Sequence, residues 1–128
     1  MTKEQALERF ALARADLQYL LDHYDDITTS TGGGGDAVRR YLGTVGVTSG
    51  MYGIPRILKR LQEYAVDDGD IVEYTEAMNE FDAALRAADT ACYSANFVEF
   101  SAAKTKPKAF FDDAKRECKL MLDLMQTM

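Results

Sequence analysis

Residues 2–27, TKEQALERFALARADLQYLLDHYDDI, decide the fold class. Ala6, Phe10, Ala13, Leu17, Leu20, Tyr24 and Ile27 recur at alternating steps of four and three, the repeat that lines apolar side chains along one face of an α-helix. Thr2 and Gln5 have the spacing of a capping box, in which each side chain satisfies a backbone N–H left orphaned at the helix start. The stretch therefore predicts a long helix with one buried face.

The same repeat returns further along the chain. Ile54, Ile57, Leu58, Leu61, Tyr64 and Ala65 form a second series, begun by Pro55 and stopped by the turn residues Asp67 to Gly69. A third series runs Ile71, Tyr74, Met78, Phe81, Leu85, Ala88 and Cys92, with Asp70 placed to cap it. The fourth runs Phe111, Ala114, Cys118, Met121, Met125 and Met128, with Thr105 as the expected cap and Pro107 in the first turn. Sustained spacing near 3.5 favours shallow helix crossings, so the expectation is an all-α, up-down-up-down four-helix bundle in one domain, residues 1–128. No period-two run is long enough to predict a sheet.

Between the first two series lies GGGGDAVRRYLGTVGVTSGMYGI, residues 32–54, far longer than the roughly 2–8 residues that usually join bundle helices. It reads as a glycine-rich connector containing a short helix, Ala37 to Leu42, capped by Asp36. Arg39 and Arg40 are adjacent and diverge by about 100° on that helix, so at least one faces outward. Val45, Val47, Met51 and Tyr52 are interspersed with Gly43, Gly46, Gly50 and Gly53. Two readings stay open: the connector folds back as a lid on the core, or it offers apolar side chains to a partner.

Composition narrows the function. The chain has 128 residues, 47% of them hydrophobic, which suffices for one packed core without metals or multiple disulfides. Two cysteines exclude a disulfide-dense scaffold. Acids outnumber bases by 21 to 15, a net charge of −6, which argues against general nucleic-acid binding because counterion release needs a basic face. No apolar run approaches the roughly 20 residues of a membrane span, and residues 1–30 are too charged for a signal peptide. The chain reads as soluble, and equally as a processed form with Met1 added.

Chemistry-bearing patterns are sparse. His23, the single histidine, lies beside Asp22, Asp25 and Asp26 near a helix end, without the hydroxyl and carboxylate geometry of a triad. No HExxH or ExxH pair is present, so no metal site is expected there. The run TGGGGD invites a phosphate-loop reading, but it lacks the GK[ST] ending and a preceding strand. Asp67, Asp68 and Asp70 around Gly69 fall short of a calcium loop and read as a turn. Met121, Met125 and Met128 read as core filler, and the seven tyrosines as bundle-edge residues or, alternatively, the lining of a pigment cavity. No cofactor and no enzymatic activity are expected. Cys92 and Cys118 fall on core positions of neighbouring helices. Buried free thiols acting as small hydrophobes are the default, and a disulfide is within reach only if the third helix continues through Ala103 with Lys104 to Lys106 as the connection, which puts the two at one height; a break near Phe97 puts them out of reach.

The connector, above all DAVRRYLGTVG at residues 36–46, followed by a basic amphipathic helix, resembles the glycine-rich segment joining helices one and two in diatom-type extrinsic lumenal subunits of photosystem II. These are PsbQ-like four-helix bundles, and the similarity extends to the arrangement of the whole chain. The resemblance implies a non-catalytic protein of the chloroplast thylakoid lumen, peripheral to the membrane. It would dock on the photosystem II core and other extrinsic subunits and support oxygen evolution by helping retain calcium and chloride at the manganese cluster. No bipartite targeting segment is visible, so the lumenal assignment requires a mature chain.

A rigid bundle with an exposed connector suits a docking subunit. Arg39, Arg40, Tyr41, Met51, Tyr52 and Arg56 are the candidate partner-binding residues, of types that dominate interface energetics, and Lys59 and Arg60 extend the basic cluster or simply solvate an outer helix face. Lys104, Lys106 and Lys108 make a second basic spot at another connection. The competing expectation is a soluble helical adaptor, or a pigment or ligand carrier, of the cytoplasm or stroma.

Overall fold

The structure, a computed structural model, describes residues 1–29, 34–99 and 106–128. These residues form six helices and no strand: α1 (Lys3–Asp22), α2 (Tyr24–Thr29), α3 (Gly34–Leu42), α4 (Ile54–Asp68), α5 (Ile71–Glu99) and α6 (Pro107–Thr127). The chain is all-α, as its periodicities predict.

Each start and stop has a local cause. The Thr2 hydroxyl accepts from the Gln5 N–H at 3.1 Å while the Gln5 side chain accepts from the Thr2 N–H at 2.8 Å, so the capping box forms. The first apolar series is interrupted once, at His23, whose backbone leaves the helical region at φ −117°, ψ 19°. Chain direction survives the break, because the Ile27 N–H still donates to the His23 carbonyl at 2.9 Å. Tyr24 is buried, as its place in the series predicts, and its hydroxyl donates to the Phe111 carbonyl of α6 at 2.6 Å. Pro55 occupies the first turn of α4, and Gly69 ends that helix in the left-handed region at φ 79°, directing its N–H to the Ala65 and Val66 carbonyls. Thr105, the expected cap of the last helix, lies outside the described residues. The residue that caps α6 is Lys106, extended at φ −86°, ψ 147° and without a side-chain cap bond, ahead of Pro107.

One apolar interior runs through the molecule. Ala6, Ala13, Leu17 and Leu20 of α1 face Ile54, Ile57, Leu58 and Leu61 of α4, Phe81, Leu85, Ala88 and Cys92 of α5, and Ala114, Cys118, Met121 and Met125 of α6. Helices α1 and α4 run antiparallel: Arg60 donates to the Met1 carbonyl, and Arg9 donates to the Tyr52 carbonyl just before α4 begins. Helix α5 is the central element, packed by α6, α3 and α4.

The glycine run has a different use from the one its composition suggests. Helix α3 begins at Gly34, earlier than the expected Ala37, so Asp36 is not its cap but stands in the first turn, where a carboxylate complements the positive helix end. Gly34 and Gly35 are buried. A β-carbon on Gly35 would collide with the Cys92 carbonyl of α5, so glycine here permits a close helix–helix approach.

Candidate docking surface

Residues 43–53 pass from α3 to α4 as an irregular but pinned segment. Gly43 sits at φ 77° with the Met51 and Tyr52 backbone against it, closing the two ends of the segment on each other. The Ser49 hydroxyl donates to the Tyr41 carbonyl at 2.6 Å and accepts from the Met51 N–H at 3.0 Å. Gly50 donates its N–H to the Asp16 carboxylate at 2.6 Å, tying the segment to α1. The Thr44 hydroxyl donates to Asp89 at 2.6 Å, tying it to α5. Hydrogen bonds to α1, α3 and α5, with further contacts within the segment, leave a fixed surface rather than a loose loop.

The six candidate contact residues separate into two groups. Met51 is 1% exposed and packs with Val38, Leu42 and Ile54 in the core, so it seals the interior and does not reach a partner. Arg39 is also turned inward. Its Nε donates to Asp89 at 2.8 Å and its Nη1 to Asp36 at 3.3 Å, with the guanidinium carbon 5.4 Å from the Tyr93 ring centroid. The Asp89 hydrogen bond holds the Arg39 guanidinium even more firmly in its charged form. Asp36 in turn accepts from the Asn96 amide at 2.6 Å, making an α3–α5 network from Asn96 to Thr44. Arg40, Tyr52 and Arg56 are exposed, and neither Arg40 nor Arg56 has an ion pair among the described residues. Tyr41 is half-buried, its ring 5.7 Å from that of Tyr19, which stacks in turn on His23 at 4.1 Å.

One segment thus has a buried and an exposed side, with Met51 sealing the interior and Tyr52 and Val47 standing outside. Val47 is 68% exposed, and Leu12 and Tyr19 of α1 stand exposed on the adjoining helix. Sequence reasoning passed over Leu12, Tyr19 and Arg9. The first two are large apolar residues two turns apart and off the buried series, a signal of an outward stripe; the Arg9 contact with the Tyr52 carbonyl had no local signal. A cleft of about 310 Å³ opens among Asp16, Arg40, Tyr41, Thr48 and Ser49. Its free guanidinium suits an anionic group, with the Asp16 carboxylate already held by Gly50.

Of the other basic residues singled out along the sequence, Lys59 and Lys106 have no ion pair among the described residues. Arg60 pairs with Glu63 at 2.8 Å and lies over the Tyr64 ring, while Lys108 pairs with Asp112 at 2.8 Å; Lys104 lies outside the described residues. Among the described residues no three His, Cys, Asp or Glu side chains converge on a point that would hold a metal. Cys92 and Cys118 are free thiols buried in the core, so the disulfide is not formed in this structure. Burial pushes the Cys92 thiol up to about 12, with Asp89 adding to the shift, and raises Cys118 as well. No helix among the described residues is long and apolar enough to cross a membrane.

Comparison with protein-family models, with curated proteins and with solved structures gives no match.

Proposed function

We propose that this protein is a non-catalytic docking subunit whose connector surface grips an acidic partner. The observation that carries the reading is that Arg40 and Arg56, at the two ends of a segment anchored at both α1 and α5, are exposed and without an ion pair among the described residues, as Tyr52 within that segment is exposed. A pre-ordered surface loses little entropy on association, and arginine with tyrosine are the residue types that most often dominate interface energy. On a chain of net charge −6, a local basic cluster also steers an oppositely charged partner toward one face.

The resemblance of residues 36–46 and of the helix order supplies the partner: the lumenal face of photosystem II, with the photosystem core and other extrinsic subunits in contact. In this reading α1 with α2, α4, α5 and α6 are the rods of an up-down-up-down four-helix bundle, and α3 with residues 43–53 is the connector between the first two. The protein supports oxygen evolution by stabilising the manganese cluster and its calcium and chloride, contributes no catalytic residue, and works in the thylakoid lumen.

Rebinding to salt-washed photosystem II membranes, scored by sedimentation and by oxygen evolution with and without added calcium, tests both levels. The wild-type chain is expected to rebind and restore activity, and Arg40→Glu/Arg56→Glu to lose rebinding with an unchanged urea midpoint. Undiminished rebinding of that double variant refutes the docking surface. Failure of the wild type to rebind refutes the photosystem assignment.

A further inference from the structure

A cleft lies away from the connector, where the start of α1, the end of α4, the start of α5 and the end of α6 come together. Its volume is about 620 Å³, within the roughly 300–1,000 Å³ of small-molecule sites. Leu7, Phe10, Leu61, Tyr74 and Met128 give it an apolar lining drawn from all four helices and their ends. Leu7 is 48% exposed at a point where four helices converge, a position that close packing would ordinarily bury. Tyr74 presents no free donor, because its hydroxyl is committed to the Leu58 carbonyl at 2.5 Å; burial accordingly raises its ionisation. Recognition along these walls is therefore apolar.

Charge at the rim is uneven. Asp70 and Glu73, at the start of α5, line the cleft, and neither is ion-paired among the described residues. The opposing cation, Lys3, lines the cleft too, but its ammonium lies 5.5 Å from the centre of the ring of Tyr64, another lining residue, which also carries Arg60 at 6.0 Å. Two free carboxylates beside an apolar trough complement a molecule with a greasy body and one cationic head. We propose that this cleft is a ligand site for an amphipathic cation, an alkyl- or arylammonium group, with the apolar body along Leu7, Phe10 and Tyr74 and the ammonium against Asp70 and Glu73. The site is independent of the docking surface and of its partner.

The test is calorimetric titration of the full chain with three ten-carbon probes differing only in the head: decylammonium, decanol and decanoate, all below micellar concentration. Decylammonium is expected to bind with one-to-one stoichiometry and a dissociation constant of about 0.1–1 mM, the alcohol more weakly and the carboxylate not measurably. Asp70→Asn/Glu73→Gln should weaken decylammonium about five- to tenfold while leaving decanol unchanged, since only rim charges are removed. Ala77→Phe, which fills the trough, should abolish binding of both; circular dichroism checks that this variant stays folded. Arg40→Glu/Arg56→Glu should bind decylammonium as the wild type does, which separates this site from docking. Equal affinity for decanoate and decylammonium, several weak sites indifferent to the double amide variant, or no saturable binding of any probe overturns the proposal.

Discussion

Replacing Arg39 by methionine removes the guanidinium but keeps the aliphatic stem that packs against α5. The Nε hydrogen bond to Asp89 is charge-assisted, at 2.8 Å, between side chains 20% and 28% exposed. Such bonds contribute roughly 1.5–3 kcal/mol, and partial exposure places this one at the lower end. The Asp36 contact is longer, 3.3 Å, and its carboxylate is 46% exposed, so it adds only about 0.5 kcal/mol. The cation–π contact with exposed Tyr93 adds about 0.5 kcal/mol. Arg39→Met should therefore cost about 2–3 kcal/mol, or about 10 °C in melting temperature for a domain of this size. The neighbouring Arg40→Met, at an exposed and unpaired residue, should stay within about 0.5 kcal/mol of wild type. Urea unfolding followed by far-ultraviolet circular dichroism measures both, with an unchanged denaturant slope showing that only stability moved. A double-mutant cycle with Asp89→Asn should return a coupling of about 1 kcal/mol or more. The reasoning collapses if the two methionine variants unfold at the same urea concentration, or if the cycle shows no coupling. A corollary is that a charge-reversal test of docking belongs at Arg40 and Arg56; reversal at Arg39 would confound binding with unfolding.

Two further outcomes follow from the packing and from the buried ionisable groups. Gly35→Ala, which drives a methyl into the Cys92 carbonyl, should destabilise by about 2 kcal/mol or more, whereas Gly46→Ala, at φ 74° with open space around it, should cost only about 1 kcal/mol; similar midpoints for the two would contradict the close α3–α5 approach. Cys92, Cys118, Tyr24 and Tyr74 all have raised ionisation, mainly through burial, so the fold holds each in its neutral form. Their contribution is complete below the unfolded thiol value of about 8.5, and declines as the unfolded chain sheds protons through about 8.5 and then about 10, up to the folded values. The urea midpoint should be flat from about pH 6.5 to 8 and fall above about pH 9, with the onset delayed by about one pH unit in Cys92→Ala/Cys118→Ala. An unaltered onset in that variant would remove the thiols from the account.

Much of the architecture was legible along the chain because it depends on neighbours within a turn or two. The capping box at Thr2 and Gln5, the stop at Gly69 and the proline starts of α4 and α6 are short-range effects, and each apolar series marks the buried face of its helix. Local reasoning erred where a distant element intervened. It assigned glycines 34 and 35 to a permissive linker, when they lie inside a helix against the Thr28 backbone of α2 and the Cys92 carbonyl of α5, respectively. It ran α1 through His23, whose backbone departs from helical geometry, and it gave no sign of the Tyr24 hydroxyl's bond to the Phe111 carbonyl, 87 residues away. The proposed docking surface was half visible: Tyr52, Arg40 and Arg56 are exposed, but Met51 is core and Arg39 is internally paired.

The sequence alone determined that this protein is helical and, at Thr2, Pro55, Gly69 and Pro107, where a helix begins or ends, because caps, prolines and apolar spacing act through backbone geometry that each segment carries with it. Only the tertiary structure decided which of two adjacent arginines is available to a partner. That depended on Asp89, 50 residues away, arriving beside Arg39 when α3 settles on α5, and the energy of an ion pair depends on distance in space and on exposure, neither of which is written in the order of residues.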